Sequence, residues 1–432
     1  MMVGAMALSS PDLAFFGYAW GVGGYLDSYM QETVNAYLDL GLNVDVYLAN
    51  YFSADGATSG FKDDFLLDRL VRYIRERDYI AAISINNALV MEDVVEALEG
   101  RLTSIIVDDF NHLFCHEADR FAAFRLPAHF APIGSQFERA ILSAIPDAAN
   151  RVCFLTPATA GMHVRRSEIP SIYPISWIAS MTTDDWAEGI MLRLLSDPRA
   201  HEIVGICLLA IEQTGNLTNI LQTFGHAILP VVNSLGIEIQ VFEMLLQNVR
   251  TSRDRMEVVR RLSPHGLALF GNSAWAKGML LSDNVYKSFK PGAPIRTHQD
   301  LLNIYNSSKL AINQPQASIT ESFQYRLLDV MSSNALLVTR RTPEPDLYRV
   351  FGPDCPVVMF DDAEDLEKVC IYYLTHEDER AARVAACNSL VGEEFSFRSR
   401  ALDYLRLAGV NFTQPNLPSR GRMQLLTNEI FA

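Results

Sequence analysis

Cysteine is scarce and unpatterned in this chain: six residues, at Cys115, Cys153, Cys207, Cys355, Cys370 and Cys387, with no Cys-x-x-Cys among them. That spacing excludes a disulfide framework, gives no zinc motif, and reads as free thiols in a reducing, cytoplasmic compartment. Runs of basic residues are also missing. Asp plus Glu outnumber Lys plus Arg by 51 to 36, a net charge of −15. Such a chain repels nucleic acid and anionic membranes unless a local basic patch overrides the average. No apolar stretch approaches the roughly 20 residues that span a bilayer, so no stable membrane insertion is expected. Met1–Leu13 holds no Lys or Arg, so no signal peptide is expected. Neither an internal repeat nor a low-complexity tract is present.

What remains is an ordinary globular composition. With 49% hydrophobic and 20% charged residues in 432, the chain is rich enough in apolar side chains for about two or three domain cores. The first half alternates short apolar runs with amphipathic stretches. Leu13–Tyr18, Val44–Ala49, Tyr79–Ile85, Leu102–Val107, His129–Ile133 and Val152–Leu155 read as strands. Tyr25–Leu40, Phe65–Arg77, Glu92–Leu98 and Gln136–Ile145 read as the helices between them. Short strand–helix–strand connections predict a parallel sheet covered on both faces. The character changes over 156–170, where a domain boundary is expected.

Beyond it, 184–262 reads as mostly helical, with Val204–Leu209 as an extended segment, and then the alternation resumes. Leu267–Phe270, Leu310–Asn313, Ala335–Thr339 and Val357–Phe360 read as strands, and Gln299–Asn306, Ser322–Ser332 and Ala363–Thr375 as helices. The expected architecture is α/β: two Rossmann-like domains, 1–160 and 161–432, facing a cleft. A helical insertion lies early in the second, and 410–432 is a loop-like tail with an apolar patch near Leu425. In open parallel sheets, ligands bind outside the carboxyl ends of the strands.

The densest signal runs from Gln299 to Arg380. Leu302, Ile304, Tyr305 and Asn306 are followed by Lys309 and Asn313, then by Arg326, then by Leu336–Thr339. Asp346-Leu347, Asp365-Leu366 and Tyr373, Leu374, His376, Glu379 and Arg380 close the series. In this order they resemble the carboxy-terminal domain of glycosyltransferases of the GT-B fold, and more narrowly the spore-maturation-protein type. The resemblance implies a nucleotide-diphosphate sugar as donor substrate and no required cofactor or metal. It implies a hydroxyl acceptor on a protein, glycan or envelope precursor. Ser333-Asn334 stands where that family has a Cys-Gly or Gly pair, a departure at the donor pocket.

A diphosphate is well held where backbone N–H groups are free at a helix start. The amides of Ser322 and Phe323, in a helix beginning at Glu321, are the expected donors, with Arg326 as a bidentate partner and Tyr325 as a stacking surface. Glu321 and Asp329 would lie about 12 Å apart along that helix. This spacing resembles the Glu-x7-Glu pattern of retaining glycosyltransferases, which assigns Glu321 to the donor sugar and Asp329 to the ribose. The alternative for Glu321 is a capping box with Ser318. Gly271-Asn272, after a strand, and Asn313, ending another, are further donor-side candidates, against an ordinary strand-end turn.

In the first half, Gly21-Val22-Gly23-Gly24 could admit the donor phosphates at Gly23 and Gly24, or could be a tight turn. Asp109 and His112, in Asp108-Asp109-Phe110-Asn111-His112, are candidate general bases if the reaction inverts configuration. Retention, with Glu321 positioning the sugar, is the favoured expectation. A catalytically silent GT-B scaffold that binds a sugar or partner protein is the second reading. A nucleotide-sugar epimerase or a phosphorylase-like relative is the third.

Overall fold

A computed structural model describes residues 13–20, 25–52, 64–107, 129–164, 169–182, 185–214, 217–292, 295–321, 323–342, 345–412 and 420–427. The chain divides into two compact units. One comprises Met1–Thr159 with Glu393–Ala432, and the other Ala160–Gly392.

The strands, in chain order, are β1 (Leu13–Gly17), β2 (Ala19–Trp20), β3 (Tyr25–Leu26), β4 (Val44–Leu48), β5 (Ala81–Ile85), β6 (Leu102–Ile106) and β7 (His129–Pro132) in the first unit. The second unit holds β8 (Tyr173–Ile178), β9 (Leu267–Phe270), β10 (Ser308–Asn313), β11 (Leu336–Arg340) and β12 (Val358–Phe360), and β13 (Met423–Leu426) returns to the first.

The first sheet has the order β13-β4-β1-β5-β6-β7, and every pairing in it is parallel. Every residue of β1, β4, β5 and β6 is buried. That burial is why β1 reads as a nearly continuous apolar run, and it encloses the polar Asp45, Ser84, Thr103 and Ser104 of the other three. The first helix runs Ser28–Asp39, not from Tyr25, because Asp27 caps it by accepting from the Tyr29 and Met30 amides. Tyr25–Leu26 pairs antiparallel with Ala19–Trp20 as a short hairpin. The helix therefore does not begin directly after the glycines, and Gly21–Gly24 themselves lie outside the described residues.

The tail differs most from expectation. Residues 393–432, placed by sequence with the second domain, belong to the first unit. The helix Phe397–Leu407 packs on Ser28–Asp39. The Gly421 amide donates to the Leu38 carbonyl at 2.8 Å, Val44 donates to the Arg422 carbonyl at 2.8 Å, and β13 extends the sheet beside β4. The apolar patch near Leu425 is this strand. Gly421 is dictated by the contact, since a Cβ there would sit 1.7 Å from the Leu42 carbonyl oxygen.

The second sheet has the order β12-β11-β10-β8-β9, again all parallel. Between β8 and β9 stand four helices, Asp185–Leu195, Pro198–Thr214, Leu217–Ser234 and Ile239–Leu262. They enclose a core of their own that includes Leu194, Cys207, Val232, Phe242 and Leu245. Val204–Leu209, expected as extended, is helical. Its apolar run buries Val204, Cys207 and Leu208 at helical spacing inside that bundle. The long helix Ile239–Leu262 passes from the bundle to the sheet, where Val258, Val259 and Leu262 join its core.

Candidate functional site

Because all five strands of the second sheet run the same way, their carboxyl ends collect at one edge. The loops there are Ala179–Thr182 after β8, Gly271-Asn272 after β9, Asn313–Gln324 after β10 and Arg341-Thr342 after β11.

Gly271 and Asn272 clamp two of these loops together. A Cβ on Gly271 would lie 2.0 Å from the Ala179 carbonyl oxygen and 2.9 Å from Trp275 Nε1. That indole N–H donates to the same carbonyl at 2.7 Å. Asn272 accepts from the Met181 amide at 2.9 Å and donates to the Met181 carbonyl at 3.0 Å. Backbone packing accounts for the glycine, and the loop's polar groups are used within the fold.

Against the β8 end lies a group of guanidiniums. Arg326 donates through Nη1 to the Ile178 carbonyl, and Arg255, from the long helix, donates through Nη1 to the Ser180 carbonyl. Asp254 accepts from Arg250 Nε at 2.8 Å and from Arg340 Nη1 at 3.1 Å. Asp254 is thus shared by Arg250 and Arg340, while Arg255 and Arg326 are spent on backbone carbonyls. Arg250 Nη1 and Arg255 Nε are buried without a hydrogen-bond partner among the described residues. Arg255 is only 4% exposed. Burial, and after it the neighbouring Arg326 charge, pulls its pKa down to about 9, with Asp254 opposing. Its charge is thus held in a buried setting, with Asp254 as the opposing carboxylate.

Beside the cluster, a small recess is lined by Asn313, Glu321, Gln324, Thr339, Arg340 and Asp346, among others. Asn313 donates through Nδ2 to Thr339 Oγ1 at 2.9 Å, while its Oδ1 and Gln324 Oε1 are buried without partners among the described residues. The loop that carries Glu321 is held by two contacts: Ala317 N donates to Thr251 Oγ1 at 2.9 Å, and Asp346 N donates to the Glu321 carbonyl at 3.1 Å.

The helix of this segment runs Tyr325–Met331 with Gln324 as N-cap, not from Glu321. Glu321 is therefore a loop residue, and the capping box with Ser318 does not form at this helix start. The Phe323 amide precedes the helix, and its ring is fully buried against Phe351, the centroids 6.0 Å apart. Ser322 lies outside the described residues.

Asp329 is corrected more strongly. It is 0% exposed and paired with His298 Nε2 at 3.0 Å, His298 being 2% exposed. A carboxylate so enclosed does not reach a ribose. It joins the start of the helix His298–Asn306, set by a Thr297–Asp300 capping box, to the helix Tyr325–Met331. Tyr325 is half-buried at the first position of its helix. Gly23, Gly24, Asp109 and His112 lie outside the described residues. No group of three His, Cys, Asp or Glu side chains that could hold a metal is found among the described residues.

Sequence reasoning missed Arg250, Arg255, Arg340 and His298. A signal existed for one of them. Thr251, Arg255, Val258 and Leu262 follow helical spacing and are all buried, so Arg255 is a cation inside an apolar stripe, where an unpaired charge needs a reason.

Residues 250–406 match a family model described as "Glycosyl transferase-like". No curated protein matches the chain in sequence. Among solved structures, a sucrose-phosphate synthase from Thermosynechococcus elongatus is similar at 10% identity and TM-score 0.53, covering 91% of this chain and 97% of that one. Anabaena HepE, solved in complex with UDP and glucose, is similar at 10% identity and TM-score 0.51, covering 92% and 99%. With its two parallel α/β sheets the chain has the GT-B fold, and over residues 250–406 it is similar to the glycosyl transferase-like family.

Proposed function

We propose that this protein is a glycosyltransferase that moves a sugar from a nucleotide diphosphate to a hydroxyl of a protein, glycan or envelope precursor. The observation that carries the reading is the guanidinium cluster of Arg250, Arg255, Arg326 and Arg340, with two buried N–H groups unspent, inside the segment that matches the family model. Departure of a nucleoside diphosphate places negative charge on its phosphate oxygens. Fixed guanidinium donors stabilise that charge without reorganising. Arg326, Arg250 and Arg340 are the partially accessible members, and Arg255 reinforces the field from behind. They provide the positive charge that a metal ion provides elsewhere, so turnover persists in chelator.

Glu321 and the acceptor oxygens of Asn313 and Gln324 line the adjoining recess, where they suit the hydroxyls of a sugar. The favoured stereochemistry is retention, the acceptor attacking on the leaving-group face and the departing phosphate taking its proton. Under inversion, Asp109 or His112 is the base. The ordered residues from Leu302 to Arg380 support the spore-maturation-protein type, and the free cysteines support a cytoplasmic setting. UDP is the first nucleotide to try, since HepE was solved with it.

The enclosure of Asp329 by His298 favours one second reading, a catalytically silent sugar-binding scaffold. Thermal-shift titration with nucleotide sugars, followed by an assay for release of the nucleoside diphosphate, tests both. A donor-specific shift with turnover supports the transferase, and a shift without turnover under any acceptor supports the scaffold. No shift with any nucleotide sinks the donor site.

A further inference from the structure

The helix Ile239–Leu262 spans two cores. Phe242, Leu245 and Leu246 pack inside the helical bundle, and Val258, Val259 and Leu262 pack under the second sheet. Between them lie about two turns, 248–255, and these hold the loops at the carboxyl edge. The Asn248 carbonyl accepts from Thr182 Oγ1 at 2.9 Å, and Ser252 Oγ shares a hydrogen bond of 2.9 Å with the same hydroxyl. Arg255 donates to the Ser180 carbonyl, and Asp254 accepts from Arg340 at the end of β11. Thr251 holds the loop after β10: its Oγ1 accepts from the Ala317 amide at 2.9 Å. Thr251 is 2% exposed. An apolar side chain of the same shape would fill that space, and a buried hydroxyl costs free energy unless it is hydrogen-bonded. The Ala317 amide is what this hydroxyl serves.

The span Ala317–Glu321 is pinned at both ends. Thr251 takes the Ala317 amide, and the Asp346 amide donates to the Glu321 carbonyl at 3.1 Å. A turn overlaps the first pin, Ile319 N donating to the Gln316 carbonyl at 3.0 Å. The span itself is only half-buried, so water can take the Ala317 N–H if the hydroxyl is removed. The loss then falls on the position of the loop rather than on the core. Ile319 and Glu321 of this span line the recess, whereas Arg250, Arg255, Arg326 and Arg340 stand on helices and a strand.

We infer that Thr251 is a positioning residue for the transferred sugar: its hydroxyl fixes where Glu321 stands and leaves the diphosphate contacts alone. The inference rests on reading the recess as the sugar subsite. A nucleotide sugar is then held by two separate devices, the arginines for the diphosphate and this loop for the sugar, and Thr251 acts on the second. Through the last helix of the insertion between β8 and β9, the bundle contributes to which sugar the site accepts.

Thr251→Val keeps the shape and removes the acceptor, and Thr251→Ser keeps the acceptor. Amide exchange read by mass spectrometry tests the anchor with no ligand present. In Thr251→Val, peptides covering 314–321 should exchange about fivefold faster or more, the worth of one net hydrogen bond. Peptides covering 308–313 should not change, and Thr251→Ser should match the wild type. Titration then separates the two devices. UDP affinity in Thr251→Val should stay within about twofold of the wild type. Turnover of the nucleotide sugar that gives the wild type its largest thermal shift should fall about ten- to a hundredfold, and Thr251→Ser should recover most of it. In a chain that binds without turnover, affinity for that nucleotide sugar relative to UDP is the quantity that falls. Unchanged exchange over 314–321 in Thr251→Val overturns the inference. So does a wild-type rate, or a wild-type ratio of affinities, in that variant. A loss of UDP affinity as large as the loss of turnover overturns it as well, because Thr251 then serves the whole site. A wild-type chain that binds no nucleotide removes the donor-site reading itself, and the positioning role with it.

Discussion

Alanine at position 271 separates a glycine kept for packing from one kept for a ligand. The added Cβ would stand 2.0 Å from the Ala179 carbonyl oxygen, more than an ångström inside ordinary contact. The end of β8 must move to admit it. That carbonyl also accepts the Trp275 indole N–H at 2.7 Å, and the Ala179 amide donates to the Phe270 carbonyl at 2.8 Å. Overpacking costs about 1–3 kcal/mol. Because Trp275 is fully buried, an indole N–H left unpaired costs about another 1–3 kcal/mol. The sum, about 2–6 kcal/mol, lowers the melting temperature of a domain this size by on the order of 10 °C. Differential scanning calorimetry of Gly271→Ala measures it. Gly189→Ala is the control: this helical glycine has nothing within 4 Å of its added Cβ, so a gain of up to about 1 kcal/mol is expected from helix propensity. A Gly271→Ala protein that melts normally but no longer binds nucleotide would refute the packing argument and restore Gly271 to the donor site.

Asp329→Ala, which leaves His298 buried and unpartnered by its carboxylate, should destabilise the second unit by about 3–5 kcal/mol. Urea denaturation reads this directly, and a variant of normal stability with weakened nucleotide affinity would return Asp329 to the ribose. His129 supplies a pH signature in the first unit. Burial, then the Arg151 charge, holds its imidazole below the ordinary range. The unfolded chain therefore takes up the proton first, and this contribution to stability, complete above about pH 6.5, is lost as pH falls towards the folded-state value. Melting temperature against pH should flatten there in His129→Gln, and an unchanged slope counts against the assignment.

The strands of the second sheet were legible because parallel strands buried on both faces are uninterrupted apolar runs. Leu267–Phe270 matches β9 end to end, and the apolar segments for β10 and β11 fall within two residues of the observed bounds. The same logic misread Val204–Leu209, since a short apolar run does not distinguish a buried strand from a helix inside a bundle. The start of the helix at Tyr325 was hidden by Ser318-x-x-Glu321, a local capping pattern overridden by contacts from far along the chain, Thr251 to Ala317 and Asp346 to Glu321. β13 was equally hidden, since its partner β4 lies hundreds of residues earlier.

The site was half legible. Arg326, Glu321 and Asn313 stand in the segment whose motif order drew attention, and the structure brings them to one edge. Arg250 and Arg255 join them from a helix distant in sequence and Arg340 from β11 of the same segment, and only the buried position of Arg255 gave a hint. Asp329 was assigned by spacing alone, and spacing does not reveal that His298 already occupies it.

A crystal of the full chain soaked with UDP tests the central claim most directly. The account predicts density for the diphosphate on the unit Ala160–Gly392, its oxygens within hydrogen-bonding distance of Arg326 and of Arg250 or Arg340. UDP bound only to the other unit, or bound to this one with its phosphates away from all four arginines, would contradict it.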